Sequence, residues 1–378
     1  MLRLMNCGHR AFLRYAQGKT AYVYGAGRAL ESCLDLYFHD QDVAAIIDGN
    51  PKLWGRIVHH HGKGVPVLSP EAFATKMARG GRDQALLMVT SPFYAAEIVE
   101  ALDCVPEFDG LACFLQAVVR ETLEPVPPFT FSQGPQRIPK KIHYIWFGGK
   151  PLPERYKRNI ETWRKYNPDF EIIRWDESNY DLHRHHYAEQ AYESGALSFA
   201  SNLARLDILQ EQGGIYLDTD VEVRQSFAPL LADRAFFGMA ETDRVSNGCG
   251  FGAAPHQDII GDMIAAFDAR PFLRSNGRPE KRPCHAFLHP VLRRYGFRMV
   301  NEYQNIDGIA LYPTEVLSPL RMYGLPDGFT EQTIAVHRQD RTWQNERERQ
   351  GNERVMELVK RMEFLKPENY GGTNGNQK

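Results

Sequence analysis

Short apolar runs alternate with helical patterns through the first hundred residues. Thr20 to Tyr24 and Val43 to Ile47 are β-rich, and Ala85 to Val89 is continuously apolar, the pattern of a strand covered on both faces. Between them Leu30, Leu34 and Phe38 recur at helical spacing, Ser69-Pro70-Glu71 opens a helix with proline at its first position, and Tyr94 to Leu102 reads as a further helix. Strand and helix in alternation predict a parallel sheet with helices packed on it. Pro125, Pro127, Pro128, Pro135 and Pro139 then break the rhythm, because proline excludes helix interior and central strand. The pattern restarts with a strand at Lys141 to Phe147, a helix at Glu154 to Tyr166, a strand at Phe170 to Trp175, and a helix from Phe199 to Gln212 stopped by Gly213-Gly214. Ile215 to Val223 reads as one strand. Glu346 to Met362 carries Val355, Leu358 and Met362 on one face, a surface helix. The predicted domains are residues 1–120 (α/β), a linker at 121–137, a second α/β domain at 138–365, and a frayed tail at 366–378.

A chain of 378 residues suits two domains. The formal net charge of -2 argues against a nucleic-acid partner, though it permits a local basic pocket. The six cysteines form no CxxC pair and read as free thiols of a reducing compartment. Neither a signal-peptide core nor a run of membrane-spanning length is visible, so the expected location is the cytoplasm, with peripheral contact at the inner face of the membrane left open.

The chemistry concentrates in Ala204 to Val223, ARLDILQEQGGIYLDTDVEV. If Ile215 to Val223 is a strand, Asp218 and Asp220 share a face, two residues apart. Two such carboxylates repel each other and call for a cation, and oxygen ligands suit Mg²⁺ or Mn²⁺. A divalent ion there would stabilise charge growing on a diphosphate as a glycosyl bond breaks. A lone DxD is also common on solvated loops; here it follows Arg205 and Asp207 on a helix and a Gly-Gly stop.

This arrangement resembles the DxD sugar transferases of glycosyltransferase family 32, and more distantly the large clostridial glucosylating toxins. The resemblance spans about Ile138 to Trp343 and rests on Ile138 to Gly148 (IPKKIHYIWFG), on Phe199 to Val223, and on Ile334 to His337 followed by Trp343. It implies a GT-A type nucleotide-sugar transferase domain and a retaining, metal-dependent transfer. By position it implies Ile145 and Trp146 against the nucleobase, Arg205 facing sugar or diphosphate, and Asp218 on ribose and sugar and on the metal through water. It further implies Asp220 and His337 on the metal, with Trp343 in a closing segment. The catalytic set is then Asp218, Asp220 and Arg205. The uridine-binder look of the Trp146 segment implies a UDP-sugar donor; the implied acceptor is a surface polysaccharide or a lipid-linked oligosaccharide. One departure stands out: the family's Ser-Asp at the helix start is Ser201-Asn202 here, and an amide binds a hydroxyl without supplying a carboxylate.

Other constellations have simpler readings. Gly25-Ala26-Gly27 with Asp48 is an incomplete dinucleotide fingerprint, since Leu30 stands at the third glycine position; a tight strand-to-helix turn is the simpler reading. That segment resembles the Rossmann-like domains of sugar acetyltransferases and other sugar-modifying enzymes, without fixing a ligand. His59-His60-His61 and His183 to His186 lack metal-site spacing and read as solvated loops. Asn247 and Glu241, around the glycine-dense Ser246 to Gly252, are candidates to touch sugar or acceptor, with a plain turn as the alternative. Rival functions are a nucleotide-sugar sensor that does not transfer, a protein-modifying glucosyltransferase, and an NAD-dependent oxidoreductase centred on the first half.

Overall fold

The computed structural model describes residues 1–340 and 346–365, which fall into two compact units. The first comprises 1–124, 321–326 and the described residues beyond 345; the second comprises 125–320 and 327–340. Both units are α/β: the first is a mostly parallel sheet with helices between its strands, as a Rossmann-like reading expects, and the second is built on a mixed sheet.

In the first unit the strands are β1 (Arg3–Asn6), β2 (Thr20–Tyr24), β3 (Val43–Ile47), β4 (Ile57–His60), β5 (Lys63–Leu68), β6 (Ala85–Val89) and β7 (Ala112–Leu115). The helices are α1 (His9–Ala16), α2 (Leu30–Tyr37), α3 (Pro70–Ala78), α4 (Ala95–Asp103) and α5 (Gln116–Glu121). β1, β7, β6, β2, β3 and β5 run parallel in that spatial order, and β4 closes one edge antiparallel to β5. Every residue of β6 is buried, as its unbroken apolar run requires. Ser69 starts α3 as the pattern demanded: its Oγ accepts from the Ala72 amide at 3.1 Å with Pro70 next in line. The helix Glu346–Val359 contributes Val355 and Leu358 to this unit's core, beside Tyr22, Leu87 and Val99, and the strand Glu363–Phe364 pairs with β1. A stripe of apolar residues says that a helix packs, not on which core. His59 and His60 lie in the edge strand β4 rather than in a loop, and His60 bonds the Phe38 carbonyl at 3.0 Å.

The second unit is built on β8 (Lys141–Ile145), β9 (Glu171–Trp175), β10 (Gly214–Tyr216), β11 (Val221–Val223), β12 (Ala235–Glu241), β13 (Arg244–Val245), β14 (Phe251–Ala253), β15 (Gln304–Ile306), β16 (Ile309–Tyr312) and β17 (Ala335–His337). Its helices are α6 (Glu154–Tyr166), α7 (His186–Glu193), α8 (Leu197–Gln212), α9 (Asp258–Asp268), α10 (His285–Arg294) and α11 (Thr314–Leu317). The main sheet runs β15-β16-β12-β14-β10-β8-β9; β8, β9 and β10 are parallel and β14 is antiparallel to both its neighbours. β11 and β17 form a separate antiparallel pair. Ile142, Trp163, Leu217, Phe236 and Tyr312 share the core.

The glycine stop after α8 is sterically required. Gly213 and Gly214 have φ of 60° and 103°, and a Cβ on Gly214 would sit 2.9 Å from both His143 Nε2 and the Lys141 carbonyl. The expected single strand from Ile215 to Val223 is in fact two. β10 ends at Tyr216, residues 217–220 turn, closed by the Val221 amide on the Asp218 carbonyl at 3.0 Å, and β11 leaves to pair with β17 in the other sheet. The sequence is β-prone throughout; the break is imposed by which neighbours are available for pairing, a tertiary effect.

Candidate metal and nucleotide-sugar site

Asp218 and Asp220 therefore stand on a turn between two sheets, not on one strand face. Their carboxylates still converge. Asp218, Asp220 and His337 each offer a ligand atom, all within 4.8 Å of one another. His337 arrives on β17, directly paired with Val221, and its Nε2 lies 3.4 Å from Asp220 Oδ1. α6 holds the turn from below: Asn159 Nδ2 donates to the Thr219 carbonyl at 2.9 Å and Trp163 Nε1 to the Val221 carbonyl at 2.7 Å.

Arg205, on α8, is buried and faces Asp218 through both terminal nitrogens, at 3.1 and 3.4 Å. Its guanidinium lies 4.7 Å from the Tyr216 ring centroid, and Nε donates to the Ser201 carbonyl at 3.0 Å. Tyr216 donates from its hydroxyl to Asp218 Oδ1 at 3.0 Å. Asn247 is fully buried; its Oδ1 accepts from Arg205 and its Nδ2 donates to the Asn202 carbonyl, both at 3.3 Å. Glu241 instead pairs with Arg244 at 3.3 Å.

These contacts set the charges. Burial pushes Asp218 above the usual carboxylate range; Arg205 opposes that and Asp220 adds to it. Asp220 goes the other way. Burial would raise it, yet His337 and the Asp340 amide, 3.1 Å from Oδ2, hold it down at about 2. Burial would depress His337, but Asp220 and Asp218 raise it. A cation that takes an imidazole nitrogen needs His337 neutral, and two carboxylates then face one arginine, leaving the cluster one charge negative. His337 Nδ1 is buried with no hydrogen-bond partner among the described residues. Two carboxylates, an imidazole with an orphaned nitrogen and a residual negative charge fit a hard divalent cation.

Of the other expected site residues, Ile145 is buried and Trp146 half-buried. The Trp146 indole N–H donates to the Lys150 carbonyl at 2.6 Å, and its ring meets Tyr156 edge-on at 5.7 Å. Asn202 lies one turn before Arg205 on α8 and is half-buried. Trp343 lies outside the described residues, as does the 366–378 tail. Tyr216 and the Asp340 amide were not anticipated. Tyr216 was within reach, because the expected strand puts it, two residues before Asp218, on the same face. The reading of His183 to His186 as a solvated loop fails at His185, which lies between Asp207 at 3.4 Å and Asp268 at 3.0 Å and is raised by the Asp207 bond against the opposing effect of burial.

Residues 153–237, the stretch from α6 through the acidic turn into β12, match the family model described as glycosyltransferase sugar-binding region containing DXD motif. Over that stretch the chain is similar to DXD-containing sugar transferases. Curated proteins are similar to this chain as well. Inositol phosphoceramide mannosyltransferase 1 of Schizosaccharomyces pombe is 26% identical over 154 residues, covering 36% of this chain and 41% of the relative. Subversion of eukaryotic traffic protein A of Legionella pneumophila is 29% identical over 115 residues, covering 22% and 17%. The chain thus spans less than half the length of these relatives. Among solved structures, PaToxG glycosyltransferase aligns at 20% identity and a TM-score of 0.35, covering 42% of this chain and 70% of that one. No helix among the described residues is long and apolar enough to cross a membrane.

Proposed function

We propose that the chain transfers a sugar, with retention, from a nucleotide-sugar to a glycan or lipid-linked glycan acceptor, using Mn²⁺ or Mg²⁺ at Asp218, Asp220 and His337. The observation that carries this reading is the convergence of those three side chains beside a buried arginine. The bound cation would supply Lewis-acid stabilisation of the leaving diphosphate. Asp220 and His337 are its direct ligands in this reading, and Asp218 reaches it through water. Arg205 is fixed by Asp218, Asn247, Ser201 and the Tyr216 ring, so it presents charge to the diphosphate without paying for reorganisation. Asn247, whose amide already serves Arg205 and α8, acts mainly by holding Arg205 in place.

Asn202 faces the donor sugar from the same side of α8, and the half-buried Trp146 ring takes the nucleobase. The acceptor hydroxyl attacks the anomeric carbon from the face the diphosphate leaves. The new C–O bond forms as the bond to phosphate breaks, and the hydroxyl proton passes to the departing phosphate oxygen. A UDP-sugar is the expected donor, and the similarity to a mannosyltransferase puts mannosyl donors in the trial set as well.

The test is nucleotide release from a panel of UDP- and GDP-sugars, with Mn²⁺ or with chelator, for wild type and Asp220→Asn. Metal-dependent release from one donor, lost in the variant, supports the reading. Tight metal-dependent binding without turnover for any donor and acceptor would move the protein to the sensor class, to which Asn202 gives some support.

A further inference from the structure

Beyond Asp220, α6 and the β11–β17 pair enclose a cavity of about 370 Å³ that the donor reading leaves unused. Three arginines reach it: Arg155 and Arg158 from one face of α6, and Arg338 from the residue after β17. Two carboxylates stand among them. Asp340 pairs with Arg155 at 3.2 Å, and Glu222 pairs with Arg338. Arg158 makes no ion pair among the described residues and is exposed.

The neutral polar groups in the wall are already committed to the fold. Asn159 Nδ2 serves the Thr219 carbonyl, while Thr162 Oγ1 donates to the Asn159 carbonyl at 2.6 Å and accepts from the Val223 amide at 2.9 Å. Unspent donor capacity therefore belongs almost wholly to guanidiniums, each with five N–H groups. That asymmetry selects an acceptor-rich anion over a neutral sugar. The two ion pairs are no obstacle: Arg155 is 52% and Arg338 43% exposed, and exposed pairs hold weakly enough for a phosphate to take the carboxylate's place in the same fork.

The cavity is also tied to the metal cluster by backbone. The Arg338 amide donates to the Asp220 carbonyl at 3.0 Å and the Asp340 amide to Asp220 Oδ2 at 3.1 Å. A nucleotide-sugar has two phosphates, both assigned above to the cation and Arg205. A third anion next to them belongs to the other substrate. We propose that this groove is an acceptor subsite that binds a phosphate ester through Arg155, Arg158 and Arg338, so that the acceptor is a phosphorylated glycan or a phospholipid headgroup. The assignment to the acceptor rests on the donor reading; the anion site itself does not.

The experiment uses the full chain. Mannose 6-phosphate against mannose, followed by saturation-transfer NMR, probes the soluble source. Anionic phosphatidylglycerol vesicles against neutral phosphatidylcholine, followed by co-sedimentation, probe the headgroup. UDP and GDP titrated with Mg²⁺ report the donor site separately. Arg158→Ala, and Arg155 and Arg158 both to alanine, are expected to weaken whichever phosphate ester binds by at least about fivefold, with Arg158→Lys in between and metal-dependent nucleotide affinity unchanged. The proposal is overturned if neither phosphate probe binds wild type, if mannose binds as well as its phosphate, or if the variants bind the esters as wild type does. A parallel fall in nucleotide affinity also overturns it, because the groove would then belong to the donor. Absence of any nucleotide binding in wild type would sink the donor reading instead, while the ester arms still decide whether the groove is an anion site.

Discussion

Each unit puts an acidic residue where a strand gives way to a turn, and the two acids meet opposite fates. Asp48, just after β3, is consumed by its own backbone: Oδ2 accepts from the Ala26 amide at 2.7 Å and Oδ1 from the Asn50 amide at 2.8 Å. It staples the Gly25-Ala26-Gly27 turn shut, and the amide that a dinucleotide fingerprint would offer to a phosphate is occupied. Asp218 and Asp220 are supplied in excess of what their turn requires. They sit against each other, partly buried, and Arg205 is the one permanent cation that offsets them, since His337 must be neutral to ligate a metal. A carboxylate that the fold satisfies is structure; a pair that the fold leaves short of positive charge is a site for a cation.

The sharpest way to break this contrast is to remove the excess. Asp220→Asn keeps the shape of the side chain and an acceptor for the Asp340 amide but discards the charge. Loss of about 10²–10³-fold in transfer rate is expected, the scale of deleting one preorganised electrostatic group, with metal-dependent nucleotide binding lost in calorimetry. Activity within tenfold of wild type would mean that the pair is not the metal site. Gly248→Ala reaches the same cluster without touching a charge. Its Cβ would lie 2.3 Å from Asp218 Oδ2 and 3.2 Å from Arg205 Nη1, and Asp218 cannot swing aside while Arg205 and Tyr216 hold it. A fall of about tenfold or more follows if the misplacement is of the order of an ångström, read as kcat against KM for the donor.

The contrast was only partly legible beforehand. Periodic elements such as α6, β2 and β6 announce themselves, because burial on one or both faces dictates their residues directly. The acidic pair and its basic neighbour were visible for the same reason that a site is: charges in an apolar context. What sequence order cannot carry is partner choice. Nothing in IYLDTDVEV says that the chain changes sheets at Asp218, nor that the stripe on the helix Glu346–Val359 fits the first core rather than the second. His337 was reached through a family resemblance; its alignment with Val221 depends on a strand pairing more than a hundred residues away. β1 was missed because four residues give too little periodicity to count.

A buried histidine supplies the case between the two acids, a titratable group whose every polar atom the fold uses. His143, on β8, accepts the Trp175 indole N–H at Nδ1, 3.0 Å away, which leaves Nε2–H to donate to the Gly213 carbonyl at 2.9 Å. Protonation would set a new N–H against the indole N–H. Burial depresses the imidazole to about 4; the Gly213 bond works against that and Lys141 with it. The unfolded chain takes up this proton as pH falls through about 6.5, while the folded chain resists until about 4. Stability from this group is therefore full above pH 6.5 and is lost on acidification through that window, to a total of about 3 kcal/mol. Comparing urea unfolding of wild type and His143→Gln at pH 7 and pH 5 isolates it. Wild type should lose about 2 kcal/mol more than the variant over that interval, and equal losses would show that the imidazole is not held neutral.

The smallest effect tests the other side of the comparison. Asp48→Ala removes both acceptors from the Ala26 and Asn50 amides, half-exposed groups that water can partly satisfy, so the expected cost is about 1–2 kcal/mol. It should appear as faster hydrogen exchange in peptides spanning residues 25–54, where the Trp54 indole also leans on the Asp48 carbonyl at 2.7 Å. Asp48→Asn, which keeps one acceptor, should lie between. Metal-dependent nucleotide affinity and transfer should not move in either variant, because the acid is spent within its own turn. If Asp48→Ala instead weakens a nucleotide while leaving exchange untouched, the staple is a ligand group after all. The first unit would then hold a binding site of its own, and the rule that separates the two acids, satisfaction by backbone amides, would fail at the residue where it was drawn most clearly.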